Sequence, residues 1–370
     1  MTGNFPPPSA EAQLEFLQKV QRLLEEGQFV ASYKFALLHA LADLAVLRGN
    51  DTGDQLPLAT STIAERVVEL YWTQTRPFPG RKASEVLRQN TGGRAKIVSL
   101  IEGFQQQHGA SLGSVRRQDM AWRGLVREVR IVVEKMPLWR LQMVGRSPLE
   151  FLYRNEGKGD QVVLLPGVAF CLRRFHGLVV ELARSAWVRY VRASNGDLLG
   201  DATELDEFLF GAERTDLAIY RRILAEPQQG KCFYCHGSLG SVAEVDHFIP
   251  WALYPTDLGH NFVLACRGCN ADKSDRLAAY PHLENWWRRN EERGTDLALE
   301  FGRAQVPFQR DSSDRIVSWA YRRLEMSAGL CWWRDRPKEE RMVGLAPEWR
   351  GLLGKQEPGK MLRVAEGEAS

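Results

Sequence analysis

Two Cys-x-x-Cys pairs, Cys232/Cys235 and Cys266/Cys269, set the tightest limit on how this chain can fold. Two such pairs supply four soft sulfur ligands, the full complement of a tetrahedral structural Zn²⁺ with no position left open for chemistry. Thirty residues separate the pairs, against the ~15–20 of a compact zinc ribbon, so the interval must hold structure of its own. Asp246, His247 and Asn261 stand inside it, and Asn270 directly follows the last cysteine. A carboxylate beside an imidazole is a different kind of site. Hard oxygen suits a Mg²⁺-like ion, and an imidazole titrating near pH ~6.5 suits a general base. The stretch from Gly230 to Leu277 is therefore expected to carry a closed zinc that builds the scaffold and an open hard-metal site that does chemistry.

At these residues the segment resembles the HNH (ββα-metal) endonucleases, in their four-cysteine zinc-containing form. The resemblance rests on the first Cys-x-x-Cys, on Val-Asp-His-Phe-Ile-Pro-Trp at 245–251, and on the run from His260 to Asp275; seven positions agree in type and order. It spans about 50 of the 370 residues. It implies a two-stranded hairpin and a helix wrapped on a divalent metal, Mg²⁺ or Mn²⁺. His247 takes the place of the general base, with a backbone carbonyl expected on its other nitrogen, and Asp246 that of the metal carboxylate. Asn261 takes the place of the asparagine that holds the hairpin loop, Asn270 that of the second metal ligand, and Lys273 that of a basic residue touching phosphate. Arg267, Arg276, Arg288 and Arg289 are further candidates for nucleic-acid contact.

The function so implied is metal-dependent hydrolysis of phosphodiester bonds in DNA, one strand per active site, in restriction or phage defence, by a homodimer or with a defence-system partner protein. Two alternatives stay open: an RNA-cleaving nuclease or toxin, and a catalytically inactive zinc module that binds DNA or a partner protein.

Composition bears on the rest of the chain. A net charge of +3 does not announce a nucleic-acid binder, so any basic surface must be local. Of the six cysteines only Cys171 and Cys331 lie outside the pairs, which reads as metal binding in a reducing compartment rather than a disulfide frame. No apolar run approaches the ~20 residues of a membrane span, and Met1–Ala10 lacks a basic-then-apolar leader. A cytoplasmic protein is expected.

The expected fold is mostly α with a small α+β nuclease module, a ββα-metal finger stapled by four cysteines and preceded by a helical N-terminal domain. The sequence divides into a helical domain at 1–145 for recognition, a partner or regulation, a hairpin and long helix at 146–227, the nuclease module at 228–280, a helical segment packing on it at 281–354, and a flexible tail at 355–370. Within these, Ser9 is placed to cap a helix over Ala10–Glu26, and Phe29–Arg48 reads as a central buried helix in which Lys34 and His39 make polar contacts at the core. Leu149–Tyr153 and Val162–Leu165 read as a hairpin. The arginines and lysines between Arg81 and Arg130 form either a solvated helical face or a DNA-backbone surface. The Trp286-Trp287 pair reads as sealing a core edge.

Overall fold

The structure is a computed structural model that describes residues 5–27, 29–79, 85–155, 159–199, 204–211, 217–240, 243–334 and 340–353. The tail at 355–370, and Arg81 and Lys82 of the basic stretch, lie outside these residues. The described residues are mostly helical, with four two-stranded antiparallel sheets among them. The chain divides into two compact units, Met1–Asp216 with Gln305–Pro307, and Leu217–Ala304 with Phe308–Ser370.

In the first unit the Ala10–Glu26 helix starts at Ser9, whose hydroxyl accepts from the Ala12 amide at 3.3 Å; this satisfies one of the orphan amides of a first turn. The Tyr33–Arg48 helix is buried from Lys34 through Val46, as a helix apolar on most faces must be. It packs against the helices Thr60–Tyr71, Val168–Arg174 and His176–Ser194. Its Asp43 is paired inside the core. Asp43 accepts from Arg66 Nε at 2.7 Å, its other oxygen lies 2.7 Å from His176 Nε2, and His39 Nε2 stands 3.4 Å away. Burial pulls His39 down to about 3, so its ring is neutral at pH 7.

The expected hairpin does not form as read. Gln161–Leu164 pairs instead with Leu56–Ala59, more than a hundred residues earlier, and with Tyr153 it keeps a single bridge to Leu164. The buried Gln142 side chain explains the difference, because its Oε1 accepts the amides of Phe151 (2.9 Å) and Leu152 (2.7 Å). Those donors are then unavailable to a neighbouring strand. The basic stretch is laced to acids of its own unit: Arg88 to Asp197, Arg94 to Glu102, Arg116 to Glu65 and Glu69, Arg123 to Asp119, and Arg130 to Glu134 and Asp160. Paired cations of this kind fit the solvated face.

In the second unit a helix, Leu217–Ala225, leads to the first knuckle. The strand Glu244–His247 pairs antiparallel with Phe262–Ala265, with Asp246 opposite Val263 and His247 opposite Phe262. The short helix Arg267–Lys273 follows. A 24-residue helix, Tyr280–Arg303, backs this module. Its Trp286 is fully buried and stacks on Phe248 at 5.4 Å, and its indole donates to the His260 carbonyl at 3.0 Å. The hairpin Leu330–Arg334/Glu340–Gly344 joins through Trp332, which exchanges backbone bonds with Leu277 (2.8 Å) and Ala279 (2.7 Å).

Candidate functional site

The four cysteines converge. Their sulfur atoms all lie within 4.8 Å of one another, and Cys235 and Cys266 are 3.9 Å apart. Four sulfurs ~2.3 Å from a tetrahedral zinc stand about 3.8 Å from each other, so the quartet fits that ion. Local structure aims them. Cys232 N donates to Gly237 O (2.8 Å), His236 takes φ +55° in the knuckle, and Phe233 N donates to Leu264 O (2.9 Å), tying the knuckle to the second strand. Hydrogen bonding from the Cys269 thiol pulls Cys232 down, while the same bond pushes Cys269 up. Arg334, which the sequence reading did not single out, reaches Cys269 Sγ at 3.9 Å and also pairs with Asp272; a guanidinium there offsets the charge of a tetrathiolate.

Glu244 and Asp246, two residues apart on one strand, share a face. Asp246 is buried. Its carboxylate accepts from the Tyr234 hydroxyl at 2.5 Å, and Lys273 Nζ lies 3.0 Å from one oxygen and 3.2 Å from the other. Lys273 also donates to the His247 carbonyl at 2.9 Å and is fully buried. It therefore does not present its ammonium to a phosphate in this structure, contrary to the sequence expectation. Its helix carries it under the strand, where the buried carboxylate needs a positive partner. Asn270 donates through Nδ2 to Glu244 at 2.7 Å. Only the amide nitrogen can donate to a carboxylate, so Oδ1 is the end left to bind elsewhere. Glu244, Asp246 and Asn270 thus offer hard oxygen donors, which fit Mg²⁺ or Mn²⁺ in kind, on condition that the Lys273 ammonium yields Asp246.

Asn261 clasps the loop between the strands: its Oδ1 accepts from Ile249 N (2.9 Å), its Nδ2 donates to Ile249 O (3.1 Å), and its carbonyl accepts from Phe248 N (2.8 Å). His247 stands at the strand end against Phe262 and Trp251, with ring centroids 4.6 and 5.3 Å apart. Its Nε2 lies 2.8 Å from Asp257 Oδ1. A backbone carbonyl was expected there; the loop supplies a carboxylate instead. Nothing in the motif marked Asp257, which stands ten residues from His247.

The arginines separate by burial. Arg267, Arg276 and Arg288 are exposed, Arg288 beside Glu284 and Arg276 bonded to Asp272 O. Arg289 is different. It donates to the carbonyls of Phe262 and His260, both at 2.7 Å, and to Asn290 Oδ1, and burial pulls it down to about 9. It braces the module's backbone rather than facing solvent. His260 is also buried, bonded to Gly294 O at 3.0 Å.

Residues 232–276 match the family model described as HNH endonuclease. The chain carries an HNH endonuclease domain, in which the cysteine quartet clusters as a zinc-type site. The domain is that of a nuclease of the HNH type. No curated protein and no solved structure matches the chain. Among the described residues no helix is long and apolar enough to cross a membrane.

Proposed function

We propose that this protein is a metal-dependent endonuclease that hydrolyses phosphodiester bonds in DNA, one strand at each active site. The single observation that carries this reading is the joining, within the matched HNH segment, of a partly exposed His247 and a face of hard oxygen donors, Glu244, Asp246 and Asn270.

His247 is the base of this scheme. It takes a proton from a water whose oxygen bonds to phosphorus, while the bond from phosphorus to the 3′-oxygen breaks and its electron pair leaves with that oxygen, which picks up a proton from solvent. The products carry a 5′-phosphate and a 3′-hydroxyl, and the imidazolium returns its proton to solvent. Asp246 and Asn270 are the residues that would hold Mg²⁺ or Mn²⁺, which neutralises charge on the phosphate oxygens and eases departure of the leaving oxygen. Arg267, Arg276 and Arg288 lie exposed where they can pair with backbone phosphates, and Asn261 keeps the loop carrying the base in register. The quartet Cys232, Cys235, Cys266 and Cys269 would hold the zinc that folds the module.

A second reading is favoured by one observation. The Asp246 carboxylate is already closed by Tyr234 and Lys273, as in a silent module that binds nucleic acid or a protein without cutting it. Conversion of supercoiled plasmid by purified protein, with Mg²⁺ or Mn²⁺ against EDTA and with His247→Ala alongside, separates the two. Metal-dependent open circles from the wild type alone support the endonuclease. Equal behaviour of wild type and His247→Ala on plasmid and on structured RNA supports the silent module. Cleavage of RNA alone corrects the substrate.

A further inference from the structure

We infer, resting on the endonuclease reading above, that Asp257 is a positioning residue that selects Nδ1 of His247 as the atom taking the proton from water. The inference follows from hydrogen-bond chemistry. An ionised carboxylate can only accept. With Asp257 Oδ1 2.8 Å from His247 Nε2, the ring proton of neutral His247 belongs on Nε2, and the lone pair that accepts a proton belongs to Nδ1.

Three features hold the pair in place. The two side chains are largely buried, at 18% and 13% exposure, so water competes weakly for the bond. The imidazole cannot turn freely between Phe262 and Trp251. Asp257 precedes the turn in which Asn261 N donates to Leu258 O at 2.8 Å, and Asn261 then clasps Ile249 on the far side of the loop. The loop that connects the two strands therefore carries the group that orients the base, and closing the loop and orienting the base become one structural event. Asp257 has a second effect in the reaction. As Nδ1 gains its proton, the developing imidazolium finds a carboxylate on its other nitrogen, so charge formed in the step is met by charge already in place. A neutral backbone carbonyl in that position fixes the tautomer but supplies only a dipole.

The test uses the full chain with its zinc bound. In nitrogen-15 NMR of histidine-labelled protein, recorded where the ring signals themselves show the neutral form, His247, assigned by its absence in His247→Ala, is expected as the Nε2–H tautomer. Observation of the Nδ1–H tautomer overturns the inference, whether or not a substrate has been found. In plasmid cleavage with Mg²⁺ or Mn²⁺, Asp257→Ala is expected to lower kcat about 10- to 100-fold, with KM within about twofold, and to mix the two tautomers. A role confined to holding the loop predicts an unchanged tautomer and a wild-type kcat in any Asp257→Ala protein that melts normally, and that result overturns the inference. Where Asp257→Ala melts early, the tautomer in the folded wild type decides alone. Failure of the endonuclease reading looks different, because His247→Ala then behaves as the wild type does; a dead His247→Ala beside a fully active Asp257→Ala removes only the role of Asp257.

Discussion

Lys273 Nζ lies 3.0 Å from Asp246 Oδ2, and the lysine side chain is fully buried. A positional pattern that places a basic residue one helical turn after Asn270 says nothing about where its charge points. Here it points inward, at the carboxylate best suited to a hard cation. Two positive charges compete for one buried anion, so occupation by Mg²⁺ and retention of the ion pair oppose each other.

Lys273→Met breaks the pair and leaves Asp246 uncompensated. Removal of one partner of a buried pair costs about 3–5 kcal/mol, so the variant, with its zinc retained, is expected to melt well below wild type in buffer without added Mg²⁺. Mg²⁺ is expected to raise its melting temperature by more than it raises that of the wild type, since no ammonium has to be displaced. Thermal denaturation with and without Mg²⁺ measures both. An equal Mg²⁺ shift in the two proteins means that the ion does not bind at Asp246.

The cysteine quartet predicts a different failure. Cys266→Ser removes a thiolate whose neighbours stand at zinc spacing, and structural zinc contributes about 10 kcal/mol or more of folding free energy in small domains. The variant is expected to lose bound zinc by elemental analysis, and with it the near-ultraviolet circular dichroism of Tyr234 and Trp332, whose rings pack at 5.1 Å. Full retention of that signal without zinc rules out the scaffold role.

The arginines separate stability from affinity. Arg267→Ala at an exposed position is expected to weaken DNA binding and to lower the slope of log affinity against log salt by about one unit, as loss of one phosphate contact does. Arg289→Ala takes the donor from the Phe262 carbonyl, while the His260 carbonyl keeps Trp286 and Asn290. A stranded carbonyl costs about 1–3 kcal/mol, so the melting temperature falls while the salt slope of the folded protein stays. Titrations at several salt concentrations, paired with melting curves, read both effects.

Acid destabilises this unit in part through His260. Burial holds its pKa at about 4, below the ordinary ~6.5. The unfolded chain therefore binds the proton more readily than the folded one does. The stabilising effect is fully present above pH ~6.5 and is lost as pH falls toward about 4, by at most on the order of 3 kcal/mol. His260→Gln is expected to flatten the fall in melting temperature between those values. His39, pulled down to about 3 by burial, acts with the same sign in the first unit, which this substitution leaves as it was.

The sequence by itself determined what is local. Spacing announced the two cysteine knuckles, and the order Asp246, His247, Asn261, Asn270 announced the module between and beyond them. Ser9 marked the start of the Ala10–Glu26 helix, because a cap and a helical period are written within a few residues of each other. The tertiary structure decided what depends on partners far along the chain. It buried Lys273 and half-buried Arg289 against two backbone carbonyls while leaving Arg267 exposed, although the three look alike as letters. It joined Gln161–Leu164 to Leu56–Ala59, because the Gln142 side chain had taken the nearer amides. It also brought Asp257 to His247. A charge carries no record of its own burial: that is fixed by which carbonyls and carboxylates the folded chain closes around it, and no spacing rule encodes them.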